Sequence, residues 1–195
     1  MTAASGFMPL LEAYGLSAGV AAWTLATACR AATTWTSGQI SVQVEPCALN
    51  DGSLLGLVGQ ALADSGLDAE RLELEFAEPA LAACTAETLF TLASLRDLGV
   101  CVALEAFGSE SANLLPLKHL PVTALKLDRS LVRDLPEDRD AGAIIRAATD
   151  FAHALGVTVV ACGLESPAQL AALRAAGCDE GQGSLCGRAV AEGDW

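Results

Sequence analysis

Lysine is nearly missing from this sequence. Only Lys118 and Lys126 occur in 195 residues, and the formal net charge is −13. Binding a nucleic-acid polymer needs a basic face, so the charge excludes that class of partner and disfavours anionic membranes. Long apolar runs are lacking too. The stretch 15–28 comes closest, falls short of the ~20 residues that span a bilayer, and runs into Arg30. No membrane insertion is expected. No basic segment followed by an apolar one opens the sequence, so no secretory signal is expected. CxxC spacing does not occur, and His119 and His153 stand in no zinc-site spacing with the seven cysteines. An odd number of dispersed thiols in an acidic chain predicts a reducing, cytoplasmic setting, with most cysteines acting as small buried hydrophobes. The Gly-rich phosphate loops, the GxSxG elbow and the HExxH pair are absent, and the chemistries they serve go with them.

What is present is apolar and regular. Hydrophobic residues make up 52% of the chain, which excludes disorder and allows one domain with a sizeable core over 1–195. The sequence alternates strand-like and helix-like segments. Helices are expected over 9–14, 18–34 with Ser17 as cap, 54–65, 85–98, near 113–118, 140–155 and from Ser166-Pro167 to 176. Gly66, Gly99, Gly156 and Gly177 close several of them. Strands are expected over 40–45, 71–76, 100–105, 123–128, 157–162 and 179–184. Residues 1–7 read as a loose end, and Pro46 as a strand stop. Six strands joined by helices through short connections predict a parallel α/β sheet.

Most of the strands share a pattern. One face is apolar. The other is small or polar and carries Gln43, Glu75, Glu105, Lys126 with Asp128, and Cys162 near the C-terminal end. A sheet covered on both sides by helices is apolar on both faces. Polar residues gathered on one face suggest a barrel interior opening on a site at the C-terminal strand ends. Each of these groups could instead be a satisfied edge residue. Converging carboxylates need neutralising, by divalent metal ions that activate water or directly by Lys126.

The segments FMPLLEAYGL, ISVQVEP, LELEFAEPAL, LGVCVALEAFGS, LPVTALKLDRSLVRDLP, HALGVTVVACGLES and GCDEGQGSLCGR, in this order, resemble the EAL domain family across nearly the whole chain. The resemblance implies an α/β, TIM-barrel-like EAL fold. It also implies a bacterial signalling role, since family members cleave cyclic di-GMP to the linear dinucleotide with two Mg²⁺ or Mn²⁺ ions. The family's Glu-Ala-Leu segment lies upstream of FMPLLE. The fold is therefore expected to be incomplete, lacking its first strands, a metal-ligand Glu and a phosphate-contacting Arg. Two sheet edges would then be open to pairing. Another chain could cover them, the domain could have rearranged, or the sequence could be a fragment.

Gln43 stands where the family has a metal-ligand Asn. Glu75 matches a metal-ligand Glu, and Glu78 the Glu that anchors the following loop. The adjacent Asp pair that holds both metals reads Glu105-Ala106, and the loop after it reads Phe107-Gly108-Ser109-Glu110-Ser111. Lys126 and Asp128 match the Lys-x-Asp of the site. Cys162 replaces the Glu of Ala-Glu-Gly, and Glu165 and Gln182 match a later Glu and Gln. Ala106 offers no ligand atom, Glu105 is one methylene longer than Asp, and a Cys162 thiolate suits Zn²⁺ better than Mg²⁺.

The expected function is therefore a catalytically degenerate, regulatory domain. It would bind a protein partner or a second copy of itself, or act as a weak cyclic di-GMP receptor through Asp128, Glu165 and Gln182. No cofactor is expected, and Gln43, Glu75, Glu105, Lys126 and Cys162 read as vestigial. The alternative is an active phosphodiesterase completed by upstream sequence, using Mg²⁺ or Mn²⁺.

Overall fold

A computed structural model of the chain describes residues 16–50, 52–82, 85–108 and 115–187. The helix expected over 9–14, the loose end 1–7, the loop residues 109–111 and the terminal tail lie outside them. The chain divides into two compact units. One comprises Met1–Phe76 and Ala83–Val102, the other Ala77–Ala82 and Ala103–Trp195.

In the first unit, helix α1 (Ser17–Thr33) packs against α3 (Leu54–Ser65) and over strand β1 (Ile40–Gln43). Leu25, Cys29 and Ala32 are its buried residues, spaced by four and three as a one-sided helix requires. Ser17 does not cap this helix. Leu16 takes the cap position without a side-chain bond, and Ser17 Oγ is buried with no partner among the described residues. Strand β1 pairs in parallel with β2 (Leu72–Ala77), from Ile40 opposite Leu72 to Gln43 opposite Glu75.

Arg71, expected in the second strand, lies instead in a 3-10 turn, Ala69–Arg71. Its Nε donates to Gly38 O at 2.8 Å and its Nη2 to Ala32 O at 2.9 Å. Ala32 belongs to the last turn of α1, whose carbonyls have no partner within the helix. One guanidinium thus ties the end of α1 to the start of β2. Pro46 opens a short helix, α2 (Pro46–Asn50), where only a strand stop was expected; proline suits the first turn of a helix because no intrahelical bond is lost there. Helix α5 (Ala86–Asp97) starts as predicted, with Thr85 Oγ1 accepting the Thr88 N–H at 3.1 Å. Gly99 follows at φ +94°, a conformation open to glycine.

Strand β3 (Cys101–Phe107) begins in the first unit and continues in the second. The second unit opens on a short helix, α4 (Glu78–Ala82), and adds β4 (Ala124–Leu127), α6 (Arg129–Arg133), α7 (Arg139–Ala154), β5 (Thr158–Cys162), α8 (Pro167–Ala175) and β6 (Glu180–Gln182). Sheet order follows chain order, β1 to β6, and β3 with β4, β4 with β5 and β5 with β6 are parallel. Leu104, Leu125, Leu127, Ile145 and Val159 are at most 1% exposed, which places the core of this unit between its strands and α7. Asp138 caps α7 by accepting the N–H groups of Asp140 and Ala141.

β3 runs two residues beyond its expected end at Glu105. It also gains a residue on its neighbour: Leu104 pairs with Leu125, but the next pair is Phe107 with Leu127. Three steps along β3 match two along β4, so an irregularity falls at Glu105-Ala106. Such bulges re-aim side chains and recur beside functional sites.

Candidate functional site

In the first unit, the polar residues of β1 and β2 share one face in successive rows. Ser41 stands opposite Glu73, and Gln43 opposite Glu75. Ser41 Oγ donates to Glu73 Oε1 at 2.7 Å. Glu73 is buried at 6% exposure, deeper than the sequence pattern suggests, while Glu75 is half-buried and Gln43 exposed. Gln43 and Ser41 line a groove of about 410 Å³ together with Val20, Trp23, Thr24 and Val44.

In the second unit, Ala103, Ala124 and Val160 form a buried apolar cluster on three adjacent strands. Two residues further along each strand come Glu105, Lys126 and Cys162, so the pleat puts Lys126 and Cys162 above this floor. Lys126 is 4% exposed in a strand whose four residues are all buried. A buried ammonium is tolerated only where neighbouring oxygens compensate it. Cys162 is half-buried and stands opposite Gln182 across the β5–β6 pair. Glu105 is half-buried at the irregularity in β3; the side chain of Ala106, next to it, is outside the described set.

Asp128 ends β4 and begins α6. Its N–H donates to Phe107 O at 2.8 Å, which fixes the strand end, and its Oδ1 accepts the Ser130 N–H at 2.8 Å, which caps the helix. Hydrogen bonds from the Ser130 side chain and amide hold its carboxyl below the usual carboxylate range, with Arg129 adding to the effect. Gln182 O accepts the N–H groups of both Gly163 and Leu164, at 2.8 and 3.0 Å, and so pins the turn after Cys162. The Gln182 and Glu165 residues are exposed. Glu78 opens α4 immediately after β2 and is half-buried.

Two close approaches fix this region. Gly163 sits at φ +84°, and a β-carbon there would lie 2.6 Å from Arg129 Cβ. A β-carbon on Gly183 would collide with the Leu164 backbone. The loops after β4, β5 and β6 are thus packed backbone on backbone.

The sequence reading passed over Gln169. Its side chain is buried at 5% exposure and bonds to the loop of Glu165 and to the end of α6. The signal was legible: Ser166 and Gln169 have the S-x-x-Q spacing of a capping box, which the structure contains. Also passed over was the pair His153 Nε2 to Asp179 Oδ2, at 2.9 Å, on the opposite end of β5.

Among the described residues no three His, Cys, Asp or Glu side chains converge as an ion-holding group. Nor is any described helix long and apolar enough to cross a membrane.

Comparison with known proteins adds the following. A family model described as "EAL domain" matches residues 1–189. The cyclic di-GMP phosphodiesterase NbdA of Pseudomonas aeruginosa is 39% identical over 187 residues, covering 93% of this chain and 24% of NbdA. The structure of PaMucR phosphodiesterase in complex with cyclic di-GMP superposes with a TM-score of 0.86 at 32% identity, over 94% of this chain and 76% of that one. MucR is likewise from Pseudomonas aeruginosa. The EAL domain of Mycobacterium smegmatis DcpA gives 0.82 at 30% identity, over 89% and 80%. The chain spans about a quarter of the length of the curated relatives it matches, 22% to 27% for four of them.

Proposed function

The chain belongs to the EAL domain family, with the TIM-barrel-like α/β fold of the solved EAL structures, and from that premise we propose that it is a regulatory domain of cyclic di-GMP signalling that acts by binding rather than hydrolysis. Its relatives NbdA and MucR carry phosphodiesterase names, and the PaMucR structure contains cyclic di-GMP.

The observation that carries the proposal is the pair Glu105-Ala106, at the irregularity in β3. A two-metal hydrolase needs closely spaced hard oxygen ligands that clamp both ions. At this position the chain offers one carboxylate followed by a methyl group. Gln43 replaces an amide ligand with one a methylene longer, and Cys162 replaces a hard carboxylate with a soft thiol. This donor set suits a pair of Mg²⁺ or Mn²⁺ ions poorly.

What this chain keeps suits recognition. Lys126 places an amino group within the buried strand β4. The residues Asp128, Glu165 and Gln182 lie on the loops and strand ends following β4, β5 and within β6, where nucleotide hydroxyl and base edges could be met. The strongly negative charge weakens attraction for a dianionic ligand, so affinity for cyclic di-GMP is expected to be low, and a protein partner or a second copy is the main target. Glu78 is assigned to anchoring the chain after β2.

A second reading, an active phosphodiesterase in a longer protein, is favoured by the 39% identity to NbdA and by the retained Glu75, Lys126, Glu165 and Gln182. Calorimetric titration with cyclic di-GMP separates the two. The proposal expects weak binding that is indifferent to divalent metal. Binding that requires Mg²⁺ or Mn²⁺ would favour the enzyme reading.

A further inference from the structure

One buried carboxamide joins two of the loops just described. Gln169 Oε1 accepts the N–H of Glu165 at 2.8 Å and the N–H of Ser166 at 2.9 Å. Its Nε2 donates to Val132 O and Arg133 O, both at 3.2 Å. The first pair are donors at the start of α8, and the second pair are carbonyls in the last turn of α6. Ser166 is the N-cap of α8, and Val132 O also accepts the Leu135 N–H at 3.2 Å. The network also fixes the orientation of the amide, since only the oxygen can accept and only the nitrogen can donate.

We infer that Gln169 is a positioning residue that holds the loop bearing Glu165 at a fixed spacing from the short helix capped by Asp128. The inference rests on the reading that Asp128 and Glu165 meet the nucleotide. The chemistry needed here is narrow. The bridging atom group must accept two hydrogen bonds on one side and donate two on the other, within the reach of a residue at the third position of α8. A glutamate has the reach and no donors, and would set a carboxylate oxygen against two carbonyls. A methionine has the bulk and neither function. α6 is only five residues long, so little else in its own hydrogen bonding fixes where it lies. The contact of Gly163 with Arg129 Cβ presses the same helix from the side of β5. Gln169 therefore links the elements that carry Asp128 and Glu165, 37 residues apart in sequence, alongside the contact of Gly163 with Arg129.

The test compares the unaltered chain with Gln169→Glu, Gln169→Met and, as a stability control, Ile145→Val, which thins the core at α7 away from this network. Amide hydrogen exchange at Glu165 and Ser166 reads the bridge itself, without any ligand. Titration with cyclic di-GMP reads its consequence. The inference expects exchange at both amides to quicken in the two Gln169 variants and not in Ile145→Val. It also expects affinity to fall roughly tenfold or more in the Gln169 variants, since small misplacements of recognition groups cost that much. Ile145→Val, compared at matched distance from its Tm, keeps its affinity. If Gln169→Glu does not fold, Gln169→Met carries the comparison. Unchanged exchange at Glu165 and Ser166, or an affinity loss no larger than that of Ile145→Val, would overturn the positioning role. An unaltered chain that does not bind cyclic di-GMP overturns the nucleotide reading and the positioning role with it; quickened exchange would then leave Gln169 as a bridge of the fold alone.

Discussion

The capping role of Asp128 can be tested by pH. Its carboxylate caps α6 through the Ser130 N–H, and its folded pKa is lowered by that bonding. A carboxyl with a lowered folded pKa adds stability that is fully present above its unfolded value, about 3.9, and is lost as pH falls through the folded value. Asp128→Ala should therefore cost about 1 kcal/mol at neutral pH, the usual worth of such a cap. The difference between the two proteins in urea unfolding should shrink as pH drops below about 3.9. A constant difference down to strongly acid pH would mean that the carboxylate does not cap the helix. Lys126 illustrates the limits of sequence at this scale. The alternation of β4 showed which way it points, but its 4% exposure follows from flanking strands that only the fold supplies.

Among the elements, most helices and the first five strands were legible from the period of their apolar residues and from glycine or capping residues at their ends; β6, with the sequence EGQ, has no apolar residue to repeat. Thr85, Gly66 and Ser166-Pro167 act as the sequence suggests. The misreadings have physical causes. Ser17 looks like a cap, yet Leu16 is already helical in backbone angle, so the helix starts a residue early. Arg71 fits the strand pattern, yet its guanidinium is engaged by the carbonyls of Ala32, in the last turn of α1, and Gly38. The irregularity at Glu105-Ala106 leaves no trace in an alternating pattern, because it is a property of the pairing of β3 with β4 and not of either strand. Close backbone approaches are equally hidden. Gly183 reads as an ordinary loop glycine, but its hydrogens face the Leu164 backbone. Gly183→Ala should lower stability by more than about 1 kcal/mol, the level expected where a side chain is incompatible with the native geometry. Thermal unfolding checks this; an unchanged Tm would show that the β5 and β6 loops are less tightly apposed.

For the molecule as a whole, family membership and binding chemistry draw on different parts of the chain. The family match over residues 1–189 places it among EAL domains. The proposed loss of two-metal chemistry rests on a few substituted positions, Gln43, Ala106 and Cys162. Of the candidate site residues, the sequence suggested positions but not surroundings: the buried floor beneath Lys126 and the Gln169 bridge depend on strands and helices brought together by the fold, whereas Asp128 caps α6 through Ser130, two residues on. The central claim is loss of hydrolysis with retention of the fold. It is tested most directly by incubating the purified chain with cyclic di-GMP and either Mg²⁺ or Mn²⁺, and separating the nucleotides by chromatography. The account predicts that cyclic di-GMP is recovered intact at the rate of the protein-free control. Metal-dependent accumulation of the linear dinucleotide would contradict it.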